Sequence, residues 1–137
     1  MKRTARTGAL LVGLAVGLGT AARAQAGGEH SHSAPHGGEV VEVAEHHVEF
    51  KADPSGAISV WLLDAKEKTV PPPAGGKVTL MPEGSDPVTL PLQVDSGSQR
   101  LGAAFDATKL KSFQAVVSLA IEGKRHNFRF HYPPSQH

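Results

Sequence analysis

Apolar residues occur in short runs along this chain, and turn-forming residues separate each run from the next. Runs rich in Val, Leu, Ile and Phe, with Gly, Pro and Asp between them, predict β-strands rather than helices. Their regular spacing predicts an all-β fold: a single antiparallel β-sandwich of about seven to eight strands, immunoglobulin-like or similar. The predicted strands are 39–43, 47–52, 57–64, 76–81, 88–93, 99–105, 115–122 and 125–132.

Turn residues predict how neighbouring strands connect. The sequence DPSG at 53–56 combines a proline-fixed φ with a glycine that tolerates positive φ, and EG at 122–123 is typical of a tight hairpin. Three consecutive prolines at 71–73 cannot donate ladder hydrogen bonds, which predicts an extended crossover at the sheet edge. For the same reason, Pro91 predicts that 88–93 is an edge strand.

Strand alternation predicts which side chains face the core. In the second run, Val48 and Phe50 point inward, and His46 lies at the core edge of the same face. His47 and Glu49 then point to the opposite face, which we expect to be solvated. The same rule applied to the longer runs predicts one core that contains Val48, Phe50, Val60, Leu62, Val117, Leu119, Phe128 and Phe130.

The first 26 residues predict a secretory signal peptide. Basic residues within 2–6 precede an apolar stretch at 8–19, and the sequence AQA at 24–26 is a small-x-small cleavage site. The apolar stretch is too short to cross a bilayer, and the chain has no cysteine for a lipid anchor or a disulfide. The sequence therefore predicts a periplasmic or otherwise secreted protein with no membrane span after cleavage.

The remainder of the chain predicts one domain with two short extensions. Residues 27–38 consist mostly of Gly, Ser, His and Pro, which predicts a flexible His-rich arm. The β-sandwich follows over 39–133, and 134–137 form a C-terminal tail. Cleavage removes four basic residues and no acidic one, which leaves 10 Lys and Arg against 13 Asp and Glu, a net charge of −3. This charge disfavours nucleic-acid binding, which needs a basic face.

Histidines crowd the segment that follows the predicted cleavage site. His30, His32 and His36 lie on a flexible backbone, where neutral imidazoles can wrap around Zn²⁺ or Cu²⁺, or around Co²⁺ or Ni²⁺. His47 and Glu49 add an imidazole and a carboxylate about 7 Å apart on one strand face. The alternative interpretation is a polar tail and an exposed polar strand face, neither of which binds a metal.

Three further histidines admit two interpretations. His46 is either a packing histidine or a metal ligand. Alternation places His126 at the core edge and His131 on the surface, and they would join a site only if the last strand lies beside 47–52. The sequence contains no nucleophile elbow, no zinc-protease helix motif and no phosphate-binding loop, so we expect no enzymatic activity.

Several segments resemble a known family. The sequences HGGEVV at 36–41, HHVEF at 46–50 and GAISVWLLD at 56–64, followed by Val70-Pro71, are similar to the small periplasmic β-rich domain found at the N-terminus of some heavy-metal efflux adaptor subunits. The resemblance implies an extracytoplasmic β-sandwich that acts near metal efflux, and it singles out His36, His47 and Glu49. The chain lacks the long helical hairpin of an adaptor, so the resemblance is to a free-standing form of this domain.

Two functions follow from these observations. The first is a periplasmic divalent-metal-binding protein, acting as a buffer, a chaperone or an efflux accessory. In this function the metal ligands are His36, His47 and Glu49, with His30 and His32 from the arm and His46 as a further candidate. The second is a metal-independent periplasmic interaction module that docks on a membrane-associated complex.

Overall fold

The computed structural model describes residues 34–134, and the regular secondary structure of this range consists of nine strands. The predicted all-β fold is therefore confirmed, and each predicted strand matches an observed one to within two residues at either end. A two-residue strand was not predicted, because it is too short to show alternation. The strands are β1 (Glu39–Val43), β2 (His46–Ala52), β3 (Ala57–Leu63), β4 (Thr69–Val70), β5 (Gly76–Met81), β6 (Val88–Asp95), β7 (Arg100–Ala104), β8 (Phe113–Ile121) and β9 (Lys124–Tyr132).

The strands form one antiparallel, hydrogen-bonded path in the order β1-β2-β3-β7-β6-β5-β8-β9, and β4 pairs with β3. Strand β6 joins the two halves of this path, because Val88–Leu92 pairs with β5 whereas Gln93–Asp95 pairs with β7. Strand β1 also contacts β9, so the path nearly closes on itself in a barrel-like way. We refer to this β1–β9 contact as the seam.

The prediction of an edge strand at 88–93 is only half right. Strand β6 lies inside the path, between β7 and β5. Pro91 lies opposite Lys77 of β5, in the part of β6 that has no partner from β7 among the described residues. The missing amide of Pro91 therefore weakens at most one ladder, which is why a proline is tolerated in an internal strand.

Both predicted hairpin turns are present. Gly56 has a φ of 94°, and its amide donates to the Asp53 carbonyl at 2.9 Å. At the other hairpin, Glu122 and Gly123 have φ values of 53° and 78°, the left-handed pair that matches the twist of a two-residue hairpin. These turns fix the antiparallel pairing of β2 with β3 and of β8 with β9.

One hydrophobic core lies between the two halves of the path. Phe128 and Phe130 are fully buried in it, and the ring of Phe130 stacks on Phe50 with ring centres 4.9 Å apart. Seven of the eight predicted core residues belong to the buried cluster, and the eighth, Leu62, is partly buried against it. The inward face was thus predicted correctly by alternation.

The opposite face of β2 is not solvated, contrary to the prediction for His47 and Glu49. Glu49 is fully buried and His47 is only 8% exposed. Their cross-strand neighbours on β3 are Trp61 and Leu63, which are also buried. The residues just before β1 pack over this face, and β4, which pairs with β3, contacts them through the Thr69 hydroxyl. Together with β2 and β3 they form a second layer outside the main core.

The two ends of the described chain lie close together. Gly37 and Pro134 line one small crevice, and the His131 amide donates to the Glu39 carboxylate at 3.4 Å. Residues 34–134 contain no helix that is long and apolar enough to cross a membrane.

Candidate functional site

The fully buried carboxylate of Glu49 is the centre of the second layer. Its Oε1 atom accepts hydrogen bonds from the backbone amides of His36 and Gly38, each at 2.9 Å. Its Oε2 atom lies 2.7 Å from Nδ1 of the His36 imidazole. A buried carboxylate is tolerated only when it is well hydrogen-bonded, and Glu49 obtains all of these bonds from the segment just before β1.

The His36 imidazole is held from three sides. Its ring stacks on Trp61 with centres 4.0 Å apart and planes 3° from parallel. Nδ1 contacts Glu49, and Nε2 lies 3.3 Å from the Thr69 hydroxyl. Because an ionised carboxylate can only accept, its bond to Nδ1 places a proton on that nitrogen. In the neutral ring, Nε2 then carries the lone pair and accepts from Thr69.

Two glycines allow His36 to reach Glu49. Gly37 has a φ of 78°, which turns the chain immediately after the histidine. Gly38 lies so close to β2 that a Cβ atom would clash with the Phe50 carbonyl. The HGG sequence therefore lets the backbone turn and lie directly against the strand that carries Glu49.

An aspartate turn positions Thr69. The Asp64 carboxylate accepts from the amides of Lys66 and Lys68, at 2.8 and 2.9 Å, in the loop between β3 and β4. The hydrogen bond from the Lys68 amide is the main reason that the pKa of Asp64 lies below its usual value of 3.8. This loop returns the chain so that Thr69 pairs with Leu63 and its hydroxyl meets the imidazole.

The other predicted ligands among the described residues contact different partners. His47 contacts Glu42, its cross-strand neighbour on β1, with Nε2 3.5 Å from the carboxylate. His46 contacts the ring of His126, with centres 4.9 Å apart. His131 is exposed on β9, in agreement with its predicted surface position. The structure thus brings His36 and Glu49 into contact but gives His46 and His47 different partners.

No group of three or more His, Asp or Glu residues within 34–134 is arranged to hold a metal ion. His30 and His32 lie outside the described residues, so the predicted convergence of the arm histidines on His36 is not tested. One imidazole nitrogen of His36 lies against a carboxylate and the other lies next to a hydroxyl.

Two residues of the site were not predicted from the sequence. The ring of Trp61 stacks on the His36 ring, and the Thr69 hydroxyl contacts Nε2 of His36. The hairpin turn at 53–56 did indicate that β3 lies beside β2, which places Trp61 close to Glu49. The sequence around Thr69 shows no strand pattern, because its strand has only two residues.

Comparisons with known proteins found no match: no family model matches the chain, and no curated protein or solved structure is significantly similar to it.

Proposed function

We propose that this protein binds a divalent transition-metal ion, with Nε2 of His36 as the ligand from the β-domain. Glu49 does not bind the metal in this proposal. It holds the imidazole in place and sets its tautomer. His30 and His32 supply further imidazoles from the segment before His36, and water fills the remaining positions.

The His36–Glu49 hydrogen bond is the observation that carries this proposal. Histidines that bind metals almost always donate their other ring N–H to a carboxylate, a carbonyl or a water. At 2.7 Å from a fully buried carboxylate, Nδ1 of His36 has this partner. Nε2, which lies 3.3 Å from the Thr69 hydroxyl, is the nitrogen that an ion would take in place of that hydroxyl. The His36 side chain is 29% exposed, so part of the imidazole is in contact with solvent.

The proposed ligand set omits three of the predicted residues: His46 and His47, which have other partners, and Glu49. Both oxygens of Glu49 already accept hydrogen bonds, so its carboxylate acts through His36 rather than on the ion. His32 and His30 lie four and six residues before His36. An extended chain of six residues spans about 20 Å, which is ample for either imidazole to fold back beside His36.

The ligand chemistry favours Zn²⁺ or Cu²⁺, and Co²⁺ or Ni²⁺ are also compatible. Imidazole suits these borderline ions, and the chain has no cysteine to favour Cu(I). The signal-like N-terminus supports a periplasmic location, and the resemblance to efflux adaptor domains supports a role as a buffer, a chaperone or an efflux accessory. We propose no catalytic role.

The variant Glu49→Gln tests this function because it changes the tautomer of His36. A glutamine can still accept the two backbone hydrogen bonds through its oxygen, but its amide would donate to Nδ1. The ring proton then moves to Nε2, where it blocks metal binding. We expect a 10- to 100-fold loss of Zn²⁺ affinity in calorimetric titration, the usual effect of losing such an orienting partner.

The matched control is His131→Ala, which removes an exposed histidine and should bind Zn²⁺ as the parent does. Circular dichroism and a melting curve of the Glu49→Gln protein must show a folded domain. If that folded variant binds Zn²⁺ as tightly as the parent, His36 is not the ligand and the proposal fails.

A metal-independent interaction module is the second candidate function. One observation favours it: the ring stack on Trp61 and the contact with Thr69 satisfy the His36 imidazole without any ion. The same residues then serve only to fasten the N-terminal segment to β2. In that case Zn²⁺, Cu²⁺, Co²⁺ or Ni²⁺ at neutral pH would change the melting temperature of the parent and of His36→Ala by the same amount, whereas an ion bound at His36 would raise that of the parent more.

A further inference from the structure

A second pair of imidazoles lies far from Glu49, where the ends of the strand path approach each other. His46 begins β2, which is second in the path, and His126 belongs to β9, which is last. Their ring centres are 4.9 Å apart and their planes are tilted by 56°. Both side chains are partly buried on the inward-facing side of their strands, in line with Val48 and Phe128.

We propose that His46 and His126 together bind a divalent transition-metal ion, which links β2 to β9 next to the seam. This site is separate from His36, and the proposal does not depend on metal binding at His36. Its ligands come from two described strands rather than from the segment before residue 34.

The separation of the rings fits two imidazoles on one tetrahedral ion. A bond of about 2.0–2.1 Å from the ion to the nitrogen places the ion about 3.2 Å from the ring centre, because the nitrogen lies about 1.1 Å from that centre. Two such rings at the tetrahedral angle have centres about 5 Å apart. The observed 4.9 Å needs almost no change in the distance between the two rings.

The nitrogens of both rings are available within the described part of the chain. Between residues 34 and 134, neither imidazole hydrogen-bonds to a protein group, and the ring contacts of the pair are with each other and with Phe128. A tilt of 56° shows that the two rings are not stacked face to face. In the proposed site, one nitrogen of each ring turns toward the shared ion.

The site has two protein ligands, since no third His, Asp or Glu in the described residues completes a cluster. Water would occupy the other positions, so binding is expected to be weaker than at a closed structural site. Because the ligands lie 80 residues apart in sequence, unfolding separates them and the ion binds only the folded domain. Such an ion stabilises the fold by RT ln(1 + [L]/Kd), where [L] is the concentration of the free ion.

Solution NMR of the histidine ring signals tests this proposal on the whole protein. Zn²⁺ should shift the His46 and His126 signals together, with one midpoint concentration. The variant His126→Asn should lower the affinity reported by the His46 signals at least tenfold, and His46→Asn should do the same for His126. In His36→Ala, the paired shift should remain as in the parent, which separates this site from the proposed function.

Two results would overturn the proposal. The first is a parent protein in which the His46 and His126 signals do not move while other histidines respond to Zn²⁺, which would make the pair a packing contact. The second is a His46 response that is unchanged in His126→Asn, which would mean that the two rings do not share an ion. The parent titration decides the first point even if a variant fails to fold.

Discussion

Replacing His36 with alanine should destabilise the metal-free protein, although the residue lies before the first strand. The change removes the hydrogen bond from Nδ1 to a fully buried carboxylate and the ring stack on Trp61. A hydrogen bond to a charged group contributes about 1.5–3 kcal/mol, and an aromatic stack about 0.5–1.5 kcal/mol. The backbone amides of residues 36 and 38 still donate to Glu49 and limit the loss.

We expect a loss of about 2 kcal/mol in the free energy of unfolding. This is at the lower end of the summed range of about 2–4.5 kcal/mol, because the imidazole is 29% exposed and water can replace part of its hydrogen bonding. For a domain of this size, the loss corresponds to a decrease of roughly 10 °C in the melting temperature.

Urea denaturation followed by tryptophan fluorescence measures this effect directly. Trp61 is the only tryptophan of the chain, and it lies against the ring that is removed. The control His131→Ala should change stability by less than about 0.5 kcal/mol, as exposed positions usually do. A His36→Ala protein that unfolds at the same urea concentration as this control would refute the reasoning, because Glu49 would then not depend on the imidazole.

Three other predictions concern the core, the arm and the acid response. The variant Phe128→Ala should cost about 3–5 kcal/mol in calorimetric unfolding, because it empties a fully buried aromatic position; parental stability would contradict the single core. Deleting residues 27–35 should weaken Zn²⁺ binding in titration but leave the metal-free melting temperature nearly unchanged, and undiminished affinity would exclude His30 and His32 as ligands. The pKa of Asp64 is lowered, so the stability that its ionised carboxylate contributes to the fold is complete above pH 3.8 and is lost as the pH falls through the lowered pKa. A titration of the Asp64 carboxyl by NMR with a midpoint at or above 3.8 would contradict the aspartate turn.

Strand positions and the inward face could be predicted because both depend on local sequence. Turn residues limit each strand, and alternation decides which side chains share a face. Phe128 and Phe130 are accordingly in the predicted core. Pro91 was misleading in part, because a proline excludes one ladder bond but does not reveal that a strand changes partner halfway along.

Burial of the outer face could not be predicted in this way. Alternation places His47 and Glu49 on one face, but it does not show whether another segment covers that face. The cover comes from residues at and before Gly38 and from Thr69, which reach β2 and β3 through backbone turns and long-range contacts. His36 and Glu49 were both selected from the sequence and do lie in contact, and their role in metal binding remains a prediction.

The crevice shared by Gly37 and Pro134 affects how binding experiments should be designed. Pro134, the last described residue, lies beside the turn that carries His36, and a polypeptide fused after His137 begins three residues beyond it. A polyhistidine purification tag at that end would bring extra imidazoles close to the proposed ligand and compete for the same ions. A tag at the other end would extend the histidine-rich segment itself. Metal affinities of this protein should therefore be measured after the tag has been removed.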